Sequence, residues 1–386
     1  MQLNQRIIIL IILILSLRSK MAEKNKLVIY YPSYEKGGAT KILINLINYL
    51  TKKNFEIFLF SQNVERNKFN DLRSIKIIDI KDSNFFFKKF LRVYFSLVLS
   101  IKMFFFLKSH KKKIAILSMQ NHLFSIPISI ITNNKIIIRN SEEIFGATKY
   151  ADSRINAYIV LFFKIIFYQF ADKVIALSKK SCSSLEKIIW DKNKINLIYN
   201  PYLTNAKKFK SKKFNKIFKV VSAGRLTKQK NFKILIDAII FLVNNGHNLK
   251  LTIIGSGPLE TYLRNYIKNY KYIKLKSWSN QIEKSLATND LFVLPSLYEG
   301  SPNILLDSLN INLPVLSSDC SGAKDILANH TKSIFKVNDK EDLIKKLRFF
   351  ISNKKNMNYQ LRKSHKNLKK FLISNCSKYK SLINNL

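Results

Sequence analysis

From residue 27 onward, short runs rich in β-branched and aromatic residues alternate with longer segments of helical periodicity. The first unit comprises a strand over residues 27–31, a loop that contains Gly37 and Gly38, and a helix over about residues 40–50. In that helix apolar residues recur every three or four positions, which gives it one apolar face. Such alternation is typical of a parallel sheet with crossover helices, so the sequence predicts an α/β fold.

The same alternation resumes in the second half of the chain, and 386 residues are enough for two domains. A boundary follows Asn200, and lysines crowd residues 205–215, which we interpret as the interdomain linker. We predict a first domain over residues 21–204, a second over residues 216–355, and a basic helical tail over residues 356–386.

Residues 7–17 are apolar apart from Ser16 and are flanked by basic residues. This run is much shorter than the ~20 residues that a bilayer-spanning helix needs, and no clear signal-peptide cleavage site follows it. Met21 stands just before the first predicted strand, and our leading hypothesis is that translation starts there. Residues 1–20 are thus interpreted as an uncertain leader or a mis-called start, with a short membrane anchor as the alternative.

The chain carries 67 Lys and Arg residues against 24 Asp and Glu, a formal net charge of +43. This charge excludes an acidic disordered chain. It favours either a polyanionic partner, such as lipid headgroups or nucleic acid, or a composition set by an AT-biased genome. Three widely spaced cysteines predict neither a disulfide framework nor a thiolate metal site. Because no HExxH or Asp-x-Asp motif occurs either, the sequence predicts no metal and no cofactor.

Residues 85–108 and 157–170 are unusually apolar for segments that also carry basic residues. Charges within the first of them argue against a membrane span. Two interpretations stay open: the segments are packed helices of the first domain, or they form an aromatic, lysine-flanked surface that lies among lipid headgroups.

Nine glycines occur in the chain, and six of them fall where a strand is expected to give way to a helix. Glycine lets the backbone approach a ligand closely, and the following helix N-terminus presents free N–H groups with partial positive charge. A diphosphate fits such loops, although turns also need glycine for purely structural reasons. The six are Gly37, Gly38, Gly224, Gly255, Gly257 and Gly300.

Two cations stand beside these loops. Arg225 directly follows a predicted strand, and Lys230 precedes the next predicted helix. Arginine can bind a diphosphate through its planar fork, and lysine can do so as a point charge. We therefore predict that Arg225 and Lys230, together with the Gly37 and Gly38 loop, bind a diphosphate.

Residues 290–309 have the most specific pattern of the chain. A predicted strand is followed by a turn that carries Glu299, and a helix is expected to begin with Ser301 as N-cap and Pro302 at its first position. Asp307 comes eight positions after Glu299, in the second turn of that helix. A carboxylate fixed in such a turn is placed to bind sugar hydroxyls.

These motifs resemble those of the retaining glycosyltransferases of the GT-B fold, specifically glycosyltransferase family 4. The resemblance covers residues 27 to about 351, strongly in the second domain and diffusely in the first. It implies two Rossmann-like domains that face each other across a cleft. In the family, the counterparts of Arg225 and Lys230 bind the donor diphosphate, and the counterpart of Glu299 contacts the donor sugar.

In the family's Glu-x7-Glu motif, the second glutamate contacts the nucleotide ribose. Asp307 matches this position, and its side chain is one methylene shorter. The donor sugar and nucleotide are accordingly expected to contact Gly300, Ser301, Asn303, Ile304 and Asp307. The family often has a functional His near the loop after the predicted strand over residues 135–139, where this sequence has Asn140, Ser141 and Glu142.

The resemblance implies transfer of a sugar from a nucleoside-diphosphate donor to an acceptor hydroxyl, with retention at the anomeric carbon. Arg225, Lys230 and helix N-terminal amides would stabilise the leaving diphosphate in place of a metal, and Glu299 would orient the sugar. By analogy, the acceptor is a saccharide, lipid-linked or part of a lipopolysaccharide, O-antigen or capsule. The enzyme would then act in the cytoplasm, peripherally on the anionic inner face of the cell membrane.

Two other functions fit parts of the sequence. A GT-B fold sugar-nucleotide epimerase would share the donor site but would need no acceptor. A basic nucleic-acid-binding protein would explain the charge, but the sequence has no RNP, helix-turn-helix or zinc-finger pattern. No nucleic acid is therefore expected as a partner.

Overall fold

The computed structural model describes residues 24–35, 37–80, 91–208, 210, 217–278, 281–327 and 331–386. The predicted leader over residues 1–20 lies outside the described residues, and so do positions 209 and 211–215 of the predicted linker. Within the described residues the strands form two separate sheets of seven and six strands, and every strand pair is parallel.

The first sheet has the strand order β3-β2-β1-β4-β5-β6-β7. Its central strands are buried on both faces, because helices cover both, which explains their almost uninterrupted apolar sequences. The strands are β1 Asn25–Tyr30, β2 Phe55–Phe60, β3 Ile75–Ile78, β4 Ala115–Ser118, β5 Ile136–Arg139, β6 Lys173–Ala176 and β7 Ile195–Leu197.

Helices cover the first sheet on opposite faces. One face packs against α1, whose apolar side chains are buried at the spacing that the sequence predicted, and the other packs against α2 and α3. The helices of this half are α1 Gly38–Thr51, α2 Leu91–Ser109, α3 His122–Thr132, α4 Ile144–Lys149, α5 Arg154–Phe167 and α6 Lys179–Leu185.

The second sheet has the strand order β10-β9-β8-β11-β12-β13. Its strands are β8 Phe218–Ala223, β9 Leu249–Ile254, β10 Ile273–Lys276, β11 Leu291–Leu294, β12 Val315–Ser318 and β13 Ile334–Phe335. Its helices are α7 Phe232–Asn244, α8 Glu260–Ile267, α9 Ile282–Ala287, α10 Asn303–Asn310, α11 Ala323–Ile326 and α12 Lys340–Ser352. The predicted α/β fold with two Rossmann-like domains is confirmed.

The C-terminal segment returns from the second sheet to the first. It contains α13 Lys354–His365 and α14 Cys376–Asn384. Between them the backbone N–H of Leu203 donates to the carbonyl of Phe371, and that of Ile373 donates to the carbonyl of Leu203. Helix α14 then packs against α1 and buries Tyr379 completely. The tail therefore ties the two domains together on the side away from α2.

The carboxyl ends of β1, β8 and β11 face the space between the two sheets. In each sheet the strand order reverses beside the first strand. The loops after β1 and β4 therefore lead to opposite faces of the first sheet, and the loops after β8 and β11 lead to opposite faces of the second. Open α/β sheets bind ligands in the crevice at this switch point. The topology therefore places the loops after β1, β8 and β11 around one interdomain cleft.

Helices α2, α3 and α5 leave a large apolar surface uncovered, which we call the apolar helix face. Helix α3 lies between the other two, and α5 buries none of its residues. Within the described part of the chain, no helix has the length and apolar content needed to cross a bilayer. The exposed side chains are Val93, Tyr94, Leu97, Ile101, Phe105, Ile130, Ile131, Ile155, Tyr158, Ile159, Val160, Phe162, Phe163, Ile165 and Ile166.

Candidate active site

A cavity of about 680 Å³ opens between the two domains, and we call it the donor cavity. Its walls include every predicted donor-site residue except Gly300. The loop after β1 and the start of α1 form one wall, and the loops after β8, β9 and β11 form the other. The fold therefore brings together residues that lie more than 250 positions apart in the sequence.

Lys230 and Glu299 form an ion pair on the second-domain wall of the cavity. The Nζ atom of Lys230 lies 2.5 Å from Oε1 of Glu299, and both side chains are largely buried. The same carboxylate oxygen accepts a hydrogen bond of 2.7 Å from the Ser296 hydroxyl. Glu299 is thus held in one orientation, and its second oxygen is available to a sugar hydroxyl.

Arg225 forms an ion pair across the cleft. Its Nη2 atom lies 2.5 Å from Oε2 of Glu35, which belongs to the loop between β1 and α1. Both side chains are about half exposed. A guanidinium and a carboxylate from opposite domains thus meet on the lining of the donor cavity.

Two glycines allow the domains to approach closely. A Cβ atom on Gly38 would lie 2.6 Å from Nδ2 of Asn303, and one on Gly300 would lie only 1.9 Å from the carbonyl oxygen of Ser141. The first contact joins the start of α1 to the start of α10, and the second joins the two domains through their main chains. Gly300 therefore serves the contact between domains rather than the wall of the cavity.

The start of α10 differs from the sequence-based expectation. Pro302, not Ser301, occupies the N-cap position, the helix begins at Asn303, and no side chain caps it. The Ser301 hydroxyl is buried and has no hydrogen-bond partner among the residues that the structure describes. The prediction of Ser301 as N-cap is wrong, since the chain enters the helix one residue later and the hydroxyl does not reach a first-turn N–H. A hydroxyl without a partner on a cavity wall is free to bond to a ligand.

Two side chains of the first domain hold the Asp307 carboxylate. The Tyr202 hydroxyl donates a hydrogen bond of 2.7 Å to its Oδ2, and the Lys41 Nζ lies 3.7 Å from its Oδ1. The Lys41 ammonium also sits 3.9 Å from the centre of the Tyr202 ring. Burial raises the pKa of the Asp307 carboxyl above its usual range. The ribose contact of Asp307 stays a prediction, and no pattern in the sequence pointed to Tyr202.

A buried arginine supports the start of α10 through a chain of hydrogen bonds, and the sequence analysis did not single it out. Arg139 is 2 % exposed, and its guanidinium donates to the side-chain oxygens of Asn200 and Tyr379 at 2.6 and 3.2 Å. Asn200 in turn donates to Oδ1 of Asn303 at 2.9 Å. This chain of hydrogen bonds links the C-terminal tail to the start of α10. The position of Arg139 at the end of a predicted strand was the available signal.

A second cavity of about 450 Å³ adjoins the first, and we call it the acceptor-side cavity. It lies mainly on the first domain, and Asn140, Ser141 and Glu142 line it. His122, which the sequence analysis did not assign, lines it as well. The loop over residues 140–142 therefore lies on a cavity wall, its function stays a prediction, and the histidine beside it comes from the start of α3.

His122 is held as a neutral imidazole. Burial, and then the nearby positive charge of Lys164, lowers its pKa to about 3. Its Nε2 lies 3.0 Å from the carbonyl oxygen of Arg139, so this nitrogen carries the proton and donates. Its Nδ1 lies 2.8 Å from the Ser118 hydroxyl and accepts from it. In this arrangement His122 shapes the cavity wall and is not poised to exchange protons near neutral pH.

Two Rossmann-like domains that enclose such a cleft define the GT-B class of fold. The structure of Anabaena HepE in complex with UDP and glucose matches with a TM-score of 0.72 at 15 % sequence identity, over 94 % of this chain and 100 % of that one. Identity at this level supports the fold alone.

Residues 204–368 match the family model of the group 1 glycosyl transferases. The match covers the second domain and less than half of the chain, and it confirms the resemblance of that domain to glycosyltransferases. The finer assignment to glycosyltransferase family 4 stays a prediction.

Relatives agree with this assignment. A glycosyltransferase of Methanocaldococcus jannaschii is 30 % identical over 51 % of this chain and 52 % of its own length. The N-acetylgalactosamine-N,N'-diacetylbacillosaminyl-diphospho-undecaprenol 4-alpha-N-acetylgalactosaminyltransferase of Campylobacter jejuni is 26 % identical over 89 % of this chain and 93 % of its own length. The chain thus spans only about half the length of the first relative and nearly all of the second.

Proposed function

We propose that this protein is a retaining glycosyltransferase that moves a sugar from a nucleoside-diphosphate donor to a saccharide acceptor. The observation that carries the proposal is the donor cavity, where Arg225, Lys230 and Glu299 stand opposite the N-terminus of α1. Two cations and a helix N-terminus suit a diphosphate, and a fixed carboxylate suits sugar hydroxyls.

In the proposed reaction, the bond between the anomeric carbon and the diphosphate oxygen breaks while the acceptor oxygen attacks from the same face of the sugar. The acceptor proton passes to the departing diphosphate, so no protein nucleophile is needed. Arg225 and Lys230 stabilise the negative charge that develops on the leaving group. Glu299 binds the sugar hydroxyls, and contact between the domains keeps water out.

The role of Arg225 predicts a loss of donor affinity. Arg225→Ala should weaken binding of the matching nucleoside diphosphate about tenfold, because a charge-assisted bond to the diphosphate is lost. Calorimetry with UDP, GDP and ADP in the presence of EDTA measures this affinity and tests metal independence at once. Arg264→Ala is the matched control, since Arg264 is a half-exposed arginine of the same domain that forms an ion pair with Glu260 on its own helix. Equal losses in both variants, or binding only after magnesium is added, would contradict the proposed donor site.

We further propose a lipid-linked saccharide as acceptor. The acceptor-side cavity is polar and large enough for a sugar ring, and it reaches Val160 and Lys164 on α5. The Campylobacter jejuni relative is named for a diphospho-undecaprenol substrate. An acceptor whose sugar lies in this cavity would have its lipid next to the apolar helix face.

The apolar helix face supports peripheral attachment to an anionic membrane on the cytoplasmic side. It combines exposed aromatic and aliphatic side chains with a strongly basic protein, and both features favour the headgroup region of anionic lipids. This is one of the two interpretations that the sequence left open. The buried side of α2 matches the other interpretation, so this helix packs inward and also exposes apolar side chains outward.

Phe162→Asp should reduce sedimentation with anionic liposomes severalfold, because it places a negative charge on the α5 part of the apolar helix face. Phe162 is 59 % exposed. The control is Tyr359→Asp, which adds the same charge at a side chain that is 61 % exposed on α13 and lies outside this face. Liposome binding that is unchanged by Phe162→Asp, or equally reduced by both variants, would count against attachment through α5.

An epimerase would also use the donor cavity, but it would have no acceptor to bind in the acceptor-side cavity. Incubation with UDP-GlcNAc in the absence of any acceptor separates the two, because an epimerase converts the sugar nucleotide and a transferase does not. The nucleic-acid alternative predicts steeply salt-dependent retention of DNA without any nucleotide-sugar binding.

A further inference from the structure

Glu35 and Arg225 stand where the two cavities meet. Among the described residues, they are the two that line both the donor cavity and the acceptor-side cavity. Glu35 comes from the first domain and Arg225 from the second. Their ion pair therefore forms the partition between the cavity that would hold the donor and the cavity that would hold the acceptor.

The position of Glu35 is fixed by its own loop. The Thr40 hydroxyl donates to the Glu35 carbonyl oxygen, and Thr40 lies 2.9 Å from the hydroxyl of buried Tyr31. This anchors the loop between β1 and α1 to the end of the strand. The Glu35 carboxylate consequently points across the cleft from a backbone that is tied to the core.

When the Glu35 carboxylate is bound to Arg225, it occupies the guanidinium group that a donor diphosphate needs. The guanidinium binds carboxylates and phosphates through the same planar fork, so it cannot serve both fully at once. Because both side chains are about half exposed, the ion pair is weak and a diphosphate of higher charge can displace it.

We propose that Glu35 is a built-in competitor of the nucleoside diphosphate for Arg225. The donor displaces Glu35 on binding, and Glu35 recaptures Arg225 as the nucleoside diphosphate leaves, which speeds product release. Release of product limits the turnover of many enzymes. Glu35 is thus a residue that sets donor and product affinity without contacting the reacting atoms, and this inference rests on the proposed function.

The test compares Glu35→Gln with the unmodified full-length protein. With whichever of UDP, GDP and ADP binds, Glu35→Gln should tighten binding about fivefold, which is the upper range for an exposed ion pair. Stopped-flow measurements should place most of this gain in a slower dissociation rate. In an Arg225→Ala background, Glu35→Gln should change nothing, because the group for which it competes is gone.

Asp152→Asn is the matched control, because it also removes a negative charge from a first-domain side chain that contacts the second domain. Asp152 is another first-domain carboxylate, and its Oδ1 lies 3.5 Å from the Nζ of Lys228 in the same segment as Arg225. It lines neither cavity. An unchanged or weaker affinity in Glu35→Gln, an equal gain in Asp152→Asn, or a gain that persists without Arg225 would each overturn the proposal. If no variant and no unmodified protein binds any of the three nucleotides, the proposed function itself fails, and this inference fails with it.

Discussion

Glu299→Gln should lower kcat about 100-fold, a loss of the size seen when a group that stabilises a transition state is removed. The Glu299 carboxylate is 8 % exposed and is oriented by Lys230 and Ser296. The amide keeps the size of the side chain but removes the charge that faces the sugar in the proposed site. It also leaves the largely buried Lys230 ammonium without its partner. Initial-rate measurements with saturating donor and acceptor give this result directly.

Glu341→Gln is the control for this substitution. Glu341 is an exposed carboxylate in the first turn of α12, in the same domain as Glu299 but outside the donor cavity. Its change to glutamine should leave turnover unaltered. A Glu299→Gln enzyme that works at the full rate would remove Glu299 from the reaction.

Gly300→Ala should lower kcat/KM about 100-fold, because a displacement of about 1 Å at a reacting centre costs this much. The added Cβ atom would lie 1.9 Å from the Ser141 carbonyl oxygen and 2.5 Å from its carbon. Both atoms belong to the main chain of the other domain, so neither can rotate away. The domains must therefore separate, and the substrates held on opposite walls move apart with them.

Thermal unfolding distinguishes this effect from a loss of stability. The clash lies between domains rather than within one, so the melting temperature should fall by only a few degrees. Donor affinity should also fall less than turnover, since Arg225, Lys230 and Glu299 all remain on the second domain. Gly300→Ala with normal turnover would show that the domains do not meet at this point in the reacting enzyme.

The sequence predicted the alternation of strands and helices in both domains, but it did not predict every strand. The predicted strand over residues 27–31 and the predicted helix over about residues 40–50 fall on β1 and α1, because their apolar patterns are strong and a glycine loop separates them. Strands β7, β10 and β13 were not anticipated. They have two to four residues at or near the sheet edges, with exposed or half-exposed positions that leave no clear alternation.

Local signals also placed the donor loops but could not supply their partners. A strand, a glycine and a helix start can be read from neighbouring residues, so Arg225, Lys230 and Glu299 were recognisable one loop at a time. Tyr202 against Asp307, Asn200 against Asn303, and the buried Arg139 are contacts between distant segments. No local pattern encodes such a contact, because it depends on how the two domains and the tail pack.

The amino-acid sequence by itself determined the α/β class, the resemblance of the second domain to glycosyltransferases and the residue types of the loops at the strand ends, since these follow from periodicity and from local motifs. Only the tertiary structure decided which residues face each other across the cleft. It opposed Glu35 to Arg225 and the Ser141 carbonyl to Gly300, and it exposed the apolar side of α5. The physical reason is that side chains project from two separate sheets, and the distance between them is set by packing of the whole chain rather than by any segment.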